Sequence, residues 1–206
     1  LAAYRKALDL EPGLAQANQN YASIVRDTGV LERAAESYRR QTLANPRDAL
    51  AFNDLGNTLR ELGRHDAALA AYGQALSIDP ELAEAHFSRA FVLLLRGEYA
   101  EGWREYEWRW RIPAFNAPAR RFAQPIWDGA RTAGTILLHA EQGLGDTLQF
   151  ARYARLVAAR CASVVLECQP ELRLLMAGVP GVAHVVARGE QLPVFDAHAP
   201  LMSLPA

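Results

Sequence analysis

The sequence predicts an α solenoid of helix hairpins followed by an α/β half-domain with a parallel sheet. Three observations carry this. Pro12, Pro46 and Pro80 fall 34 residues apart, as do Tyr4, Tyr38, Tyr72 and Tyr106, and Gly29, Gly63 and Gly97. Three independent columns at one period are the signature of a repeat array. Beyond residue 133 the pattern changes to short apolar runs alternating with a helical stretch, the grammar of a parallel sheet. A Gly-containing loop, Gly143-Leu144-Gly145-Asp146, comes directly after the first of those runs.

The best-formed repeat runs from Ala49 to Leu82. Phe52, Leu55, Gly56 and Leu59 share one face of a helix that Gly63 ends. Ala68, Tyr72 and Ala75 mark a face of a second helix that stops before Pro80. Small residues at Gly56 and Ala68 let the helices approach, and Tyr72 fills the space between hairpins. Glycine at the turns can take the positive φ that ends a helix. Proline cannot continue one. Helices are expected near 15–28, 31–44, 49–62, 65–78, 83–96 and 99–111, with residues 1–10 as the second helix of an incomplete repeat. The pattern resembles the tetratricopeptide repeat (TPR). It implies three full repeats and a half over 1–111, a linker over 112–133, and the α/β part over 134–206.

The last repeat departs from the pattern, with Arg109 where an alanine is expected. Trp103, Tyr106 and Trp110 keep i, i+3, i+7 spacing and share a helical face. That face either binds a partner or packs against the residues C-terminal to it. His86 and His184 read as ordinary surface or strand residues.

First helices of such hairpins line the inner face of the array. There the chain offers Asn20, Asn53, Asn57 and Arg60, along with Gln19 and Ser23. Asparagine amides can donate to and accept from an extended peptide backbone, so these four are the candidate peptide-binding residues; the alternative is solvated helix surface. In the family, an asparagine ladder of this kind belongs to O-linked N-acetylglucosamine transferase. Only Asn20 matches that ladder, with Asp54 and Ser88 at the equivalent places. A lysine clamp for a C-terminal carboxylate is disfavoured, because Lys6 is the chain's one lysine.

In the second half, Thr135–Ala140, Ser163–Cys168, His184–Ala187 and Val194–Ala197 read as strands, and Thr147–Ala159 as a helix. Crossovers in such an order are right-handed, and the ligand crevice lies at the carboxyl ends of the strands. Gly143, Gly145, Thr147 and Arg152 are the candidate anion- or acceptor-binding residues, since the start of a helix favours an anion. The glycines otherwise serve only a packing turn. A dinucleotide site would need a third glycine where Leu148 stands, although Glu167 lies 22 residues after Gly145. His139 reads as a buried, hydrogen-bonded histidine.

The run His139-Ala140-Glu141-Gln142-Gly143-Leu144-Gly145-Asp146-Thr147-Leu148-Gln149-Phe150-Ala151-Arg152-Tyr153 resembles a segment of bacterial TPR proteins that carry a glycosyltransferase domain. Pro125–Gly129 and Pro193–Asp196 share the likeness. That domain is similar to the lipopolysaccharide heptosyltransferases, which have two Rossmann-like halves in a GT-B-type fold. The resemblance implies that residues 134–206 are part of the N-terminal half. It implies Asp146 as the base that deprotonates an acceptor hydroxyl; the other role for Asp146 is to cap a helix starting at Thr147. It further implies a sugar or glycan acceptor, and a nucleotide-sugar donor held mainly in the second half. No cofactor or metal is expected in this chain, and this fragment alone is expected to be inactive. The alternative is a non-catalytic interaction scaffold.

Composition narrows the classes. The 22 basic and 23 acidic residues leave a net charge of −1, without the basic excess of a phosphate-backbone reader. Nucleic acid is therefore not an expected partner. Apolar runs such as Ala90–Leu95 fall short of the about 20 residues that span a bilayer. Cys161 and Cys168 lack metal-site spacing and read as buried thiols, which fits a reducing, cytoplasmic setting. The chain opens at Leu1 without a signal-peptide pattern and stops at Ala206, so a fragment truncated at both ends is expected.

Overall fold

The computed structural model describes residues 2–10, 15–116 and 122–206. The chain divides into two compact units, 1–112 and 113–206.

The first unit is helical throughout its described residues. It comprises α1 (Ala2–Leu10), α2 (Ala15–Ala44), α3 (Ala49–Glu61), α4 (His65–Ile78), α5 (Ala83–Leu95) and α6 (Tyr99–Tyr106), closed by a 3-10 turn over Glu107–Arg111. The hairpins α3–α4 and α5–α6 form as the repeat columns predict. Asp48 caps α3 by accepting the Ala51 N–H at 3.0 Å, and that bond, with the Gln41 side chain, holds its carboxyl below the usual range. Gly63 and Gly97 take φ of +72° and +81° at the two turns. Tyr72 is fully buried among Ala35, Leu55, Leu59, Ala68, Ala71 and Val92. A Cβ on Gly56 would stand 2.5 Å from the Tyr72 ring, which is why the repeat needs glycine there.

The first predicted hairpin does not form. The expected helices 15–28 and 31–44 are one 30-residue helix, α2, running through Gly29 without positive φ. The glycine of the turn is the same in all three copies, Gly29, Gly63 and Gly97; what differs is the anchoring of the residue that ends the first helix. Leu62 packs on the Tyr72 cluster. Arg96 pairs with Asp66 and with Glu98, the latter at 2.7 Å. Thr28, at their position, turns its hydroxyl back to the Ile24 carbonyl at 2.8 Å. Such a back-bond stays within the helix, and nothing in it favours a reversal at Gly29.

The α5–α6 hairpin is fastened by Arg89, which binds Glu101 at 2.6 Å and Glu105 at 3.0 Å. The helix expected through residue 111 ends at Tyr106 and continues as 3-10, so Trp110 leaves the face it was predicted to share. Tyr106 packs within its own hairpin, 5.3 Å from Phe87 and 6.1 Å from Phe91, with Trp103 edge-on at 5.5 Å. Arg109, 1% exposed, lies against both Tyr106 and Trp110. A guanidinium between rings fills the volume that alanine would leave empty. His86 is no plain surface residue: it meets Glu105 at 2.7 Å and the Pro80 carbonyl at 2.9 Å, and stacks on Trp108.

The second unit begins with α7 (Pro113–Asn116) and continues as β1 (Thr135–His139), α8 (Leu144–Phe150), a 3-10 turn at Ala151–Tyr153, and α9 (Ala154–Ala158). Then come β2 (Ser163–Cys168), a 3-10 turn leading into α10 (Arg173–Met176), β3 (His184–Ala187) and β4 (Ala197–Pro200). The strands are all parallel in the order β3-β2-β1-β4. β1 and β2 are buried on both faces beyond their first residues, as the continuous apolar runs require. One cluster joins Leu137, Val165 and Val186 to Phe195, Phe122 and Leu192.

Three boundaries differ from expectation. The fourth strand is Ala197–Pro200, not Val194–Ala197. Phe195 turns into the core, while Asp196 takes the Thr135 N–H at 2.7 Å and gives its own N–H to the Thr135 carbonyl at 2.9 Å. Residues 194–196 thus fasten the start of β1, and Val194 is left exposed. The expected linker contributes to the sheet: Ile126 bridges His198, Trp127 donates to the His198 carbonyl, and the His198 N–H reaches the Pro125 carbonyl. Finally, the helix expected over Thr147–Ala159 starts at Leu144 and is interrupted by 3-10 geometry.

Candidate functional site

In the helical unit, α3 presents Asn53, Asn57 and Arg60 at i, i+4 and i+7, one stripe along the helix. Asn57 accepts the Tyr72 hydroxyl at 2.9 Å, so it orients the central tyrosine. Arg60 is half-buried and lies over the Phe91 ring of α5, at 5.8 Å. Burial pushes the Tyr72 phenol up, opposed by Arg60 and then by Ser88. Asn57, Arg60 and Ser88 therefore meet around the Tyr72 hydroxyl, with Phe91 of α5 under Arg60. Asn53 is buried, and its Oδ1 has no donor. The neighbouring Asp54 carboxyl is raised, chiefly by burial and against the influence of Asn53.

Asn20 is not part of this stripe. It binds the Tyr4 hydroxyl at 3.3 Å, between α2 and α1. Asn20 stands to Tyr4 in the repeat as Ser88 stands to Tyr72. The side chains of Gln19 and Ser23 lie outside the described residues. Sequence spacing found Asn53, Asn57 and Arg60; it missed Phe91, which is 41% exposed, because its meeting with Arg60 crosses two helices.

In the sheet unit, Gly143 is the N-cap of α8 and its carbonyl accepts the Thr147 N–H at 3.2 Å. Asp146 is therefore not the cap. It lies inside the first turn and reaches back to the Gly143 N–H at 3.1 Å, the carboxylate half of a capping box. Thr147 is 1% exposed, and its hydroxyl lies 2.9 Å from Gln169 Oε1 and 3.2 Å from the Gly143 carbonyl. Gln169 in turn donates to the Gln142 carbonyl at 2.7 Å. Glycine at 145 is required by neither conformation nor packing: its φ is not positive, and a Cβ there would meet no described atom within 4 Å. Arg152 is exposed and lies over the Tyr153 ring at 5.2 Å.

The strand order reverses direction between β1 and β4, the topological switch where open parallel sheets place their ligands. His139 at the end of β1 and His198 on β4 are both buried there, 3.1 Å apart through Nε2 and Nδ1. Phe122 covers both rings, at 5.3 and 4.6 Å. Glu167 is buried on β2 in register with His139. Arg188 donates to the Ala140 carbonyl. Both cysteines are free thiols, Cys168 buried and Cys161 half-buried, and burial raises each. Among the described residues no three His, Cys, Asp or Glu side chains group as a metal site, and no helix is long and apolar enough to cross a membrane.

Burial pushes the His198 imidazole down, so the fold favours the neutral ring. The unfolded chain takes up that proton near pH 6.5, and the folded chain only below it. Stability of the sheet unit is therefore complete above about pH 6.5 and declines as the pH falls below it. Thermal unfolding from pH 7.5 to 5 should show this decline, and His198→Gln should flatten it. An equally steep decline in the variant would assign the effect elsewhere.

Residues 56–97 match the family model for the TPR repeat. Protein FlbA of Caulobacter vibrioides (strain ATCC 19089 / CIP 103742 / CB 15) is 25% identical over 170 residues, covering 64% of this chain and 28% of FlbA. The tetratricopeptide repeat and J domain-containing co-chaperone DNJ1 of Cryptococcus neoformans var. grubii serotype A (strain H99 / ATCC 208821 / CBS 10515 / FGSC 9487) is 30% identical over 96 residues. That match covers 47% of this chain and 18% of the co-chaperone. A crystal structure of MamA aligns with a TM-score of 0.39 and 23% identity, over 55% of this chain and 66% of that one. The chain thus spans well under a third of the length of the two curated relatives. The helical unit is a TPR repeat module.

Proposed function

We propose that the helical unit holds an extended peptide of a partner protein along the shared face of α3 and α5. The observation that carries this is the stripe Asn53, Asn57 and Arg60 beside the exposed ring of Phe91. Amides at this spacing satisfy a peptide backbone, and an aromatic rim supplies apolar area. The relative named as a TPR and J domain-containing co-chaperone supports a protein-binding role. An array of short random peptides probed with the whole chain tests it. Phe91→Glu should weaken the bound peptides about tenfold or more, whereas Leu174→Glu, on α10 of the other unit, should leave them unchanged. Equal weakening by both variants, or by neither, would remove the groove.

A second reading concerns the sheet unit: part of a glycosyltransferase of the heptosyltransferase-like class, supplying the acceptor side. The open space over Gly145 favours it, because glycine without a packing or conformational reason is what close approach of a ligand to the backbone requires. The nucleotide-sugar donor would bind elsewhere in the whole protein, with Asp146 taking the acceptor's proton. Asp146→Asn keeps an oxygen for the Gly143 N–H, so the fold should survive. Transfer by the whole protein should fall about 10²–10⁴-fold. Undiminished transfer would leave Asp146 only its reach-back bond; no transfer by either form from a broad donor panel would favour a non-catalytic scaffold.

A further inference from the structure

We propose that the sheet unit holds the phosphate group of a phosphorylated small molecule in a surface cavity between Arg131 and Arg160. The cavity measures about 440 Å³, and Cys161 and the alanines 133, 159 and 162 line it with the two arginines. Residues 131–133 lead into β1 and residues 159–162 lead into β2, so the cavity lies at the amino ends of these strands. His139 and the Gly143 loop stand at the carboxyl end of β1, on the opposite edge of the sheet. This site is therefore separate from the acceptor side described above.

The first observation is how the two arginines are held. Arg131 donates across to the Ala159 carbonyl at 3.2 Å, and Arg160 donates back to the Gly129 carbonyl at 3.2 Å. The Thr132 N–H, bonded to the Arg160 carbonyl at 2.8 Å, ties the same two segments together. Each guanidinium is fixed through a backbone carbonyl, which leaves most of its five donors for a ligand. Neither pairs with a carboxylate among the described residues. Asp128, the acidic residue nearest Arg131 in sequence, accepts the Ala130 N–H at 2.9 Å instead. Both arginines are exposed, so their fixed positions matter: little side-chain freedom remains to be lost on binding.

The second observation is the make-up of the cavity. It is lined by two guanidiniums and no carboxylate, which calls for a ligand with two negative charges spread over several oxygens. A phosphomonoester is such a dianion above about pH 6, with three acceptor oxygens. A lone carboxylate offers one charge and two oxygens. The volume falls within the about 300–1,000 Å³ of small-molecule sites and leaves room beyond the phosphate group. The three alanines supply an apolar wall for the carbon part of the ester.

Cys161 places a reporter in the cavity. It is half-buried, and its thiol donates to the Ser163 carbonyl at 3.3 Å. The other cysteine, Cys168, is 0% exposed within β2. A bound ligand thus covers a thiol that a neutral reagent otherwise reaches, while Cys168 stays closed to the reagent in either state.

The test uses the whole chain at about pH 8, with phenyl phosphate as the probe and N-ethylmaleimide as the neutral thiol reagent. Ionic strength is held constant with chloride, because exposed charges are screened by salt. Phenyl phosphate at about ten times its dissociation constant should slow the labelling of Cys161 about tenfold, read by mass spectrometry of the peptide that carries it. Phenyl sulfate, of similar shape with one charge, should need about a tenfold higher concentration, and this comparison requires no variant. Arg131→Gln and Arg160→Gln should each weaken the protection about tenfold. Arg160→Lys should recover part of the loss. Arg47→Gln, which removes a positive charge from the helical unit, should change nothing. An unchanged labelling rate, or a loss in Arg47→Gln as large as in Arg131→Gln, would overturn the site. Equal protection by phenyl sulfate would overturn the choice of a dianion. Equal protection by inorganic phosphate would overturn the ester, leaving bare phosphate as the ligand.

Discussion

Replacing Tyr72 with alanine is expected to destabilise the helical unit by about 3–5 kcal/mol, the range for removing a fully buried aromatic side chain. The ring is 0% exposed and touches both helices of its hairpin. The backbone of Gly56 lies too close for any side chain between them, so little can move in to fill the cavity. Tyr72→Phe separates the ring from its hydroxyl. It removes the bond to Asn57 at 2.9 Å and the hydroxyl's meeting with Arg60 and Ser88, for about 1 kcal/mol. Urea unfolding monitored by far-UV circular dichroism measures both. A Tyr72→Ala loss below about 1 kcal/mol would mean that the repeat does not turn on this residue.

The largest effect expected in the sheet unit is at Gly181. Its φ is +92°, and an added Cβ would stand 2.8 Å from Arg155 Cα and 3.0 Å from the Ala154 carbonyl oxygen. Both are backbone atoms of α9, which cannot swing aside as a side chain could. Gly181→Ala combines the conformational penalty with the overlap, about 2–5 kcal/mol. Gly189→Ala is the natural control: φ is +100°, but nothing described lies within 4 Å, so only the conformational part remains, about 1–2 kcal/mol. The difference between the two variants in the same unfolding experiment is the cost of closeness between α9 and the turn before β3. Equal losses would mean that the turn relaxes away from α9.

How much of this was legible in the sequence depends on how local the deciding contact is. Tyr72, Gly63 and Gly97 announce themselves because two copies repeat one packing solution. Gly29 carries the same consensus, yet the helix runs on, because the decision rests on how Leu62 and Arg96 are anchored and Thr28 is not. Buried apolar runs marked β1, β2 and β3. The place of β4 beside β1 is set by residues 59 and more apart, as with His139 and His198, and no local pattern encodes it. Val194–Ala197 suggested a strand, but Phe195 is spent on the core and Asp196 on the start of β1. In the candidate sites, the spacing of Asn53, Asn57 and Arg60 was readable because a helix preserves it. Phe91 was not, because it arrives from α5. The start of α8 was misplaced because its cap is a glycine, which has no side chain to signal the role. Asp146 has the side chain of a cap, but it only reaches back to the Gly143 N–H.

The central claim is that the shared face of α3 and α5 is where the chain takes its partner. Hydrogen–deuterium exchange of the whole chain, with and without a peptide recovered from the array, tests it most directly. The peptide should slow exchange in α3 around Asn53–Arg60 and in α5 around Phe87–Phe91, and leave β1–β4 unchanged. Slowing confined to the sheet unit, or to α1 and α2, would contradict it.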